Sequence, residues 1–301
     1  MSIAKRIFLF IVVNLLVILT ISLILQIFHV QPFLEARGLN VKSLLLFCSI
    51  WGMGGAFISL ALSKPMAKWM MGVSIINPET KNPEERELLT IVDDLAKEAG
   101  LEGTPEVGIY KSPEVNAFAT GMSRNRSLVA VSSGLLNKMN PNEIKGVLGH
   151  EISHISNGDM VTMTLLQGVI NAFVMFLARV LAYVFSSMGK GEKNNNFSYG
   201  SYYIFVFVFE MIFMILGSMV IATFSRFREF RADAGGAKLA GKDKMIEALC
   251  ALRVMQEIHD PVKEQAAFQA FKISTPKKRG FLSLFATHPP LEERIERLRH
   301  L

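Results

Sequence analysis

Residues 148–160, LGHEISHISNGDM, carry two histidines four positions apart, with a glutamate directly after the first. On an α-helix this spacing places His150 and His154 on one face. The residues NPNE at 140–143 predict where the helix begins, because they supply an N-cap asparagine, a first-turn proline and a capping-box glutamate. From Val161 onward the sequence is apolar. The motif therefore lies where a water-soluble helix meets an apolar segment, and it fits either a metal site or a helix with incidental histidines.

Four apolar segments are long enough to cross a bilayer. Half of the 301 residues are hydrophobic, which is too many for an ordinary soluble domain. A helix rises about 1.5 Å per residue, so roughly 20 apolar residues span the hydrocarbon core. We predict four transmembrane helices, over Ile7–Phe28, Ser43–Ser63, Met160–Ser187 and Gly200–Ser225. The first segment follows a basic pair as in a signal peptide, but its longer apolar run favours an uncleaved anchor.

Basic residues flank these segments unevenly. Because cytoplasmic loops carry the excess of lysine and arginine, the side with more of them is expected to face the cytoplasm. With the N-terminus inside, the inner flanks carry Lys5, Arg6, Lys64, Lys68, Arg226, Arg228 and Arg231. The outer loops carry fewer, namely Arg37, Lys42, Lys190 and Lys193. This bias places both polar segments of the chain in the cytoplasm.

The remaining composition narrows the class of protein. Cys48 lies in a predicted span and Cys250 in a predicted helix, so no disulfide framework is expected, in agreement with a reducing compartment. Membrane flanks and the basic run at 277–279 explain the net charge of +6, which suits anionic lipid. Basic and aromatic residues do not alternate as they do in a nucleic-acid interface. We therefore expect a lipid bilayer as a partner and no nucleic acid.

Two charged residues interrupt the third and fourth predicted spans. Arg179 and Glu210 lie at similar depth, and charges inside a bilayer are costly and tend to pair. We predict a structural ion pair that holds the two spans together, and through them the metal site. A proton or ion pathway is the alternative, but one pair without further polar residues in the spans is a poor basis for transport.

The polar residues between the second and third spans predict a small sheet with helices. NPEERELLTIVDDLAKEAGLEG at 82–103 is typical of a helix with an asparagine N-cap and a glycine stop. PEVGIY at 105–110, NAFATG at 116–121 and SLVAVSSGLL at 127–136 are short and separated by turn residues, as strands are. The fold class is therefore a mainly α integral membrane protein with an α+β domain in the cytoplasm.

A catalytic metal site built on H-E-x-x-H needs a third protein ligand. The metzincin extension would require glycine and histidine at the positions of Asn157 and Met160, so that class is excluded. Downstream, Glu229 and Asp233 lie four residues apart on one predicted helix face. We expect Glu229 to complete a zinc donor set with the two histidines, and Asp233 to accept the ring N–H of one of them.

The predicted topology supports this ligand set. The histidines precede the third span and the carboxylates follow the fourth, so an antiparallel hairpin returns the chain to the same membrane face. Glu151, between the two histidines, is then placed as general base beside one zinc ion. The predicted segments are 1–70, an N-terminal membrane hairpin; 71–159, with the H-E-x-x-H helix; 160–225, a second hairpin; and 226–301, with the third ligand.

The stretches HEISHISNGDMVTMTL, SRFREFRADAGGAKL, NAFATG and THPPLEERI together resemble the HtpX family, membrane-bound zinc metalloproteases related to the CAAX prenyl endopeptidases. The resemblance covers nearly the whole chain. It implies a gluzincin-type endopeptidase of the bacterial inner membrane, with its active site in the cytoplasm, that degrades misfolded or damaged membrane and cytoplasmic-side proteins under heat or envelope stress. By this resemblance His150, His154 and Glu229 match the zinc ligands and Glu151 the catalytic residue. Other membrane quality-control proteases are candidate partners.

Two further features have candidate roles in peptide hydrolysis. His288 precedes the terminal helix and is a candidate oxyanion donor, with a capping or packing histidine as the alternative; relatives among the prenyl proteases carry a similar histidine and an arginine at the position of Arg294. NAFATG is expected to be an edge strand, with a core strand as the alternative. An extended substrate would bind there by β-augmentation, at Asn116, Ala117, Phe118 and Ala119. Surface or core roles are expected for His29, His259 and His300.

Three other functions fit the sequence less well. An intramembrane protease is a poor fit, because the H-E-x-x-H helix carries a polar face. A CAAX-type protease usually has more than four spans. A zinc-binding scaffold without activity has no use for Glu151, and structural zinc sites close the fourth position with protein.

Overall fold

The computed structural model describes residues 40–188, 199–258 and 280–301. The described chain is mostly helical, with one small sheet. In chain order the elements are α1 (Val41–Met70), β1 (Ser74–Ile75), α2 (Pro83–Glu98), β2 (Glu106–Tyr110), β3 (Ala117–Gly121), a 3-10 turn (Arg124–Arg126), β4 (Ser127–Ser132), α3 (Ser133–Lys138), α4 (Pro141–Asn157), α5 (Asp159–Met188), α6 (Tyr199–Ala240), α7 (Lys242–Ile258), a second 3-10 turn (Gly280–Phe285) and α8 (Leu291–Arg299).

The chain divides into two compact units. The apolar unit comprises residues up to Ile58 together with Thr164–Val220, and the sheet unit comprises Ser59–Met163 with Ile221–Leu301. The units change after residues 58, 163 and 220. The boundaries predicted from the sequence fall after residues 70, 159 and 225.

Three helices of the described chain, α1, α5 and α6, are long and apolar enough to cross a membrane. They correspond to the second, third and fourth predicted spans. The first predicted span, Ile7–Phe28, lies outside the described residues, so the count of four is not confirmed. Within the apolar unit, Val41, Leu45 and Cys48 of α1 pack against Phe176 and Val180 of α5.

The predicted small sheet is present and, in the part of the chain that the structure describes, has four strands in the order β1-β2-β4-β3. β1 is antiparallel to β2, β2 is parallel to β4, and β3 is antiparallel to β4. Every residue of β4 is buried, as expected for a strand in the centre of a small sheet. β3 pairs Ala117 with Val131 and Gly121 with Ser127, and lies at the sheet edge.

Helix α4 crosses the core of the sheet unit and begins where the sequence predicts. The Asn140 side chain accepts from the Glu143 backbone, and the Glu143 carboxylate accepts from the Asn140 backbone, which completes the capping box. Val147, Leu148 and Ile152 are buried in the core. The helix ends at a glycine with φ of 67°, a left-handed conformation that glycine adopts at low cost and that turns the chain directly into α5.

Candidate active site

Three side chains with metal-binding donors converge in the sheet unit. His150 and His154 come from α4 and Glu229 from α6, and their ligand atoms all lie within 4.8 Å of one another. The two histidine Nε2 atoms are 3.1 Å apart. Glu229 Oε2 is 3.4 Å from His150 Nε2, and Glu229 Oε1 is 3.3 Å from His154 Nε2. The structure thus brings the three ligands predicted for a metal ion into one cluster.

Glycines allow α6 to approach α4 closely enough to form this cluster. A Cβ at Gly235 would collide with the Ser153 side chain, and one at Gly236 would lie 2.9 Å from the His150 backbone nitrogen. A Cβ at Gly149, on α4, would meet the Ala240 side chain at 2.9 Å. Larger residues at these positions would push the helices apart and move Glu229 away from the histidines.

The far side of the His150 ring is held by a buried ion pair. His150 Nδ1 lies 2.9 Å from Asp233 Oδ1, which is the contact expected of Asp233. Arg294, on α8, donates to both oxygens of Asp233, from Nε at 2.8 Å and from Nη2 at 2.6 Å. Asp233 and Arg294 are 2% and 1% exposed. Two donors in a rigid fork therefore fix the carboxylate that faces His150.

A second carboxylate, which sequence reasoning missed, holds the His154 ring. Asp159 Oδ2 lies 2.7 Å from His154 Nδ1, and Arg231 Nη2 donates to the other oxygen of Asp159. Asp159 is the first residue of α5 and is 1% exposed. Its position five residues after His154, just beyond the glycine stop, was the available signal. The sequence indicates only a membrane-flanking role for Arg231.

His288 also reaches the cluster. Its Nδ1 lies 2.8 Å from Glu229 Oε2, so it contacts a proposed ligand directly. The segment before it is held by Arg226, whose Nη1 donates to the carbonyl oxygens of Leu284 and Ala286 at 3.3 and 2.8 Å. Arg226, like Arg231, is therefore more than a membrane-flanking charge.

The carboxylates favour positive charge in the cluster. Burial opposes the charged form of His150, but hydrogen bonds to Asp233 and Glu229 outweigh it and raise the pKa of His150 to about 9. Burial likewise opposes the charged form of His154, but the Glu229 charge together with the hydrogen bonds to Asp159 and Glu229 raises the pKa of His154. Two imidazoles and a carboxylate are suitable ligands for zinc, and the electrostatics of this site suit a cation.

Glu151 and the predicted substrate strand lie in the same unit. Glu151 is 5% exposed and, within the described ranges, forms no ion pair, unlike Glu229. β3 packs against α4, the helix that carries Glu151. Of the four residues predicted to bind substrate, Ala117, Phe118 and Ala119 belong to β3, and Asn116 directly precedes it.

The remaining predicted residues are placed as follows. Arg179 Nη1 lies 2.6 Å from Glu210 Oε1 in the apolar unit, so the structure brings this pair together. His300 is exposed and lies 3.0 Å from Glu296. His29, His259, the predicted outer-loop residues Lys190 and Lys193, and the basic run at 277–279 lie outside the described residues.

A helix-borne histidine pair, a glutamate between them and a carboxylate from a later helix define a zincin-type metallopeptidase. The peptidase family M48 model matches residues 82–301. Protease HtpX of Thioalkalivibrio sulfidiphilus is 49% identical over 298 residues, covering 98% of each chain. The Protease HtpX homolog of Bacillus subtilis is 49% identical over 304 residues, covering 98% of this chain and 99% of the relative. The chain belongs to the HtpX proteases of peptidase family M48, which confirms the predicted family and the predicted metallopeptidase activity.

The fold has a relative among solved structures. Ste24p of S. mikatae superposes with a TM-score of 0.55 at 18% identity, covering 94% of this chain and 67% of that one. At this identity the likeness concerns the fold alone. Together with the family match, it supports a zincin-type domain joined to apolar helices.

Proposed function

We propose that the chain is a membrane-bound endopeptidase that uses one zinc ion held by His150, His154 and Glu229. The observation that carries the proposal is the convergence of these three donors within 4.8 Å at a buried site. Bound zinc would supply a Lewis acid that polarises the scissile carbonyl and makes water more acidic.

The residues around the donors supply the remaining steps. Glu151 accepts the proton of the attacking water and passes it to the leaving amine, a general acid–base role that suits a carboxylate without a salt-bridge partner among the described residues. His288 Nδ1 lies 2.8 Å from Glu229 Oε2, which places the imidazole beside the donor cluster, and we assign His288 as the side chain that stabilises the developing oxyanion.

An extended substrate is proposed to pair with β3. The strand lies at the sheet edge and packs against α4, so a peptide added there would run beside the H-E-x-x-H helix. Backbone pairing gives affinity with little sequence preference, which suits substrates that share only a loss of structure. We therefore propose misfolded or damaged membrane and cytoplasmic-side proteins as substrates, in a stress-linked quality-control role.

The location is proposed from the sequence. Three helices of the described chain are apolar and long enough to span a bilayer, and basic residues predominate on the side that carries the metal-binding helices. This distribution favours the bacterial inner membrane with the active site in the cytoplasm. Other membrane proteases that act on the same substrates remain the proposed partners.

Substitution of Glu151 by glutamine tests the proposal. The full chain is purified in detergent with zinc present, and cleavage of an unfolded model protein and bound zinc are both measured. Glu151→Gln should keep its metal and lose activity by a factor of about 100 or more, because general acid–base catalysis contributes about 10²–10⁴-fold. Glu247→Gln, an exposed change on α7, is the matched control.

Two outcomes would contradict the proposal. Full cleavage by Glu151→Gln would remove Glu151 from the reaction. Zinc bound by both proteins with no cleavage by the wild type would favour the scaffold function.

A further inference from the structure

The two histidines of the cluster are each backed by a carboxylate and an arginine, and the two arrangements come from different parts of the chain. His150 contacts Asp233, which Arg294 holds from α8. His154 contacts Asp159, which Arg231 holds from α6. The first arrangement includes the carboxylate expected from the sequence. The second has no assigned role in the proposed reaction.

Burial of the Asp159 carboxylate requires that both of its oxygens have hydrogen-bond partners. The Asp159 side chain is 1% exposed, and removing a carboxylate from water costs several kcal/mol unless it is paired and hydrogen-bonded. Among the described residues its two oxygens are both used: Oδ2 lies against His154 Nδ1, and Oδ1 accepts from Arg231. A carboxylate held at both oxygens cannot rotate away from the imidazole.

We propose that Asp159 is a positioning residue for His154 and that Arg231 fixes the orientation of Asp159. With Nδ1–H donated to Asp159, His154 is kept in the tautomer whose Nε2 carries the lone pair, and this Nε2 faces Glu229 at 3.3 Å. This inference rests on the proposed function, because it treats His154 as a metal ligand.

The location of Asp159 adds a consequence. It is the first residue of α5, directly after the left-handed glycine that ends α4. The orientation of His154 therefore depends on the position of the first residue of α5, and on the ion pair that joins this residue to Arg231 of α6. The Arg231 side chain is 56% exposed, whereas that of Arg294 is fully buried, so the His154 arrangement can be altered at an exposed residue.

Zinc affinity separates a positioning role from a purely structural one. The full-length protein in detergent is titrated with zinc against a chelating competitor, and the thermal midpoint is measured without zinc. Asp159→Asn should weaken zinc binding about 10- to 100-fold. Arg231→Ala should weaken it less, and the double variant should be no weaker than Asp159→Asn, because both act through one contact.

Matched controls carry the same charge changes away from the site. Lys238→Ala removes an exposed cation from the same helix as Arg231, and Asp94→Asn neutralises an exposed carboxylate on α2. Both should bind zinc as the wild type does. If Arg231 were only a membrane-flanking charge, its removal would match Lys238→Ala.

The outcomes distinguish this inference from the proposed function. Wild-type zinc affinity in both Asp159→Asn and Arg231→Ala would overturn the inference and leave the proposed function standing, as would a lower thermal midpoint with unchanged affinity. A wild-type protein that binds no zinc would overturn both. Arg231→Ala keeps the test decisive if Asp159→Asn does not fold, because Arg231 is largely exposed.

Discussion

The Arg294–Asp233 pair of the sheet unit and the Arg179–Glu210 pair of the apolar unit have the same chemistry in different surroundings. Arg294 donates twice to Asp233, and neither side chain exceeds 3% exposure. Arg179 makes one contact with Glu210 at 2.6 Å, and the side chains are 21% and 30% exposed. Arg179 Nη1 also donates to the Met175 carbonyl.

The two pairs differ in what surrounds them. Protein atoms exclude water from the Arg294 pair, so the strength of this pair is expected not to depend on the solvent around the protein. The Arg179 pair lies on helices that are apolar enough to span a membrane, where lipid rather than water would cover the exposed fraction. Its strength therefore depends on the surrounding medium, and the two pairs should respond differently to substitution.

The largest effect is expected from Arg294→Met. This change leaves Asp233 buried without its main partner, and breaking a buried pair on one side costs about 3–5 kcal/mol. The free energy of unfolding, measured with denaturant in mild detergent, should fall by that amount, and zinc binding should weaken because His150 loses a fixed neighbour. Arg299→Met, on the same helix but 59% exposed, is the control.

A small loss of stability from Arg294→Met would break the comparison. It would mean that Asp233 finds another partner or water when Arg294 is removed. The double change with Asp233→Leu should recover part of the loss, because no uncompensated charge is then left in the core.

The second-largest loss of stability is expected from changes at Arg179 and Glu210, and its size depends on the surrounding membrane. Each single change, Arg179→Met or Glu210→Gln, leaves one charge among apolar helices, and a lone charge inside a membrane costs about 2.5–3.5 kcal/mol. Unfolding in lipid bicelles should show this loss for each single variant. The double variant should approach the wild type, and zinc retention in the same samples reports whether the pair also supports the metal site.

Additive losses in the double variant would show that the two side chains do not act as a pair. The same measurement in detergent micelles, which admit more water to the helix surface than lipid bicelles do, tests the dependence on the surrounding medium. The loss should shrink there for the Arg179 pair and stay constant for the Arg294 pair.

Local sequence patterns anticipated the parts of the site that depend on a single helix. The capping residues fixed the start of α4, and the i, i+4 spacing placed His150 and His154 side by side. The position of Glu229 followed from a hairpin argument, and the structure brings it to the histidines. The helix start and the histidine spacing have causes within a few residues. The position of Glu229 depends only on two antiparallel helices that bring the chain back to the same membrane face.

The contacts that the sequence did not reveal join residues far apart in the chain. Arg231 and Asp159 are separated by 72 positions, and Arg294 and Asp233 by 61. An arginine after an apolar segment has an adequate explanation as a membrane flank, so nothing local indicated a second role. Pairing of this kind depends on how α5, α6 and α8 pack, which a single sequence does not specify.

The smallest effect is expected from two ion pairs in water, those of Glu106 with Lys64 and with Lys68. Both lysine Nζ atoms lie 2.8 Å from the Glu106 carboxylate, whose side chain is 44% exposed. Their hydrogen bonds lower the pKa of Glu106 below its ordinary value of 4.5. A carboxylate with a lowered folded-state pKa stabilises the fold above the unfolded-state pKa, and this contribution disappears as the pH falls through the folded-state pKa.

Glu106→Gln should therefore reduce the free energy of unfolding by less than about 1 kcal/mol at pH 7, since exposed pairs are screened by water and salt. The difference from the wild type should shrink as the pH falls below 4.5, and it should also shrink in about 1 M salt at pH 7. The contradicting outcome is a loss at pH 7 that is as large as that of Arg294→Met and insensitive to salt. An exposed ion pair would then be as strong as a buried one, and burial would not be what distinguishes them.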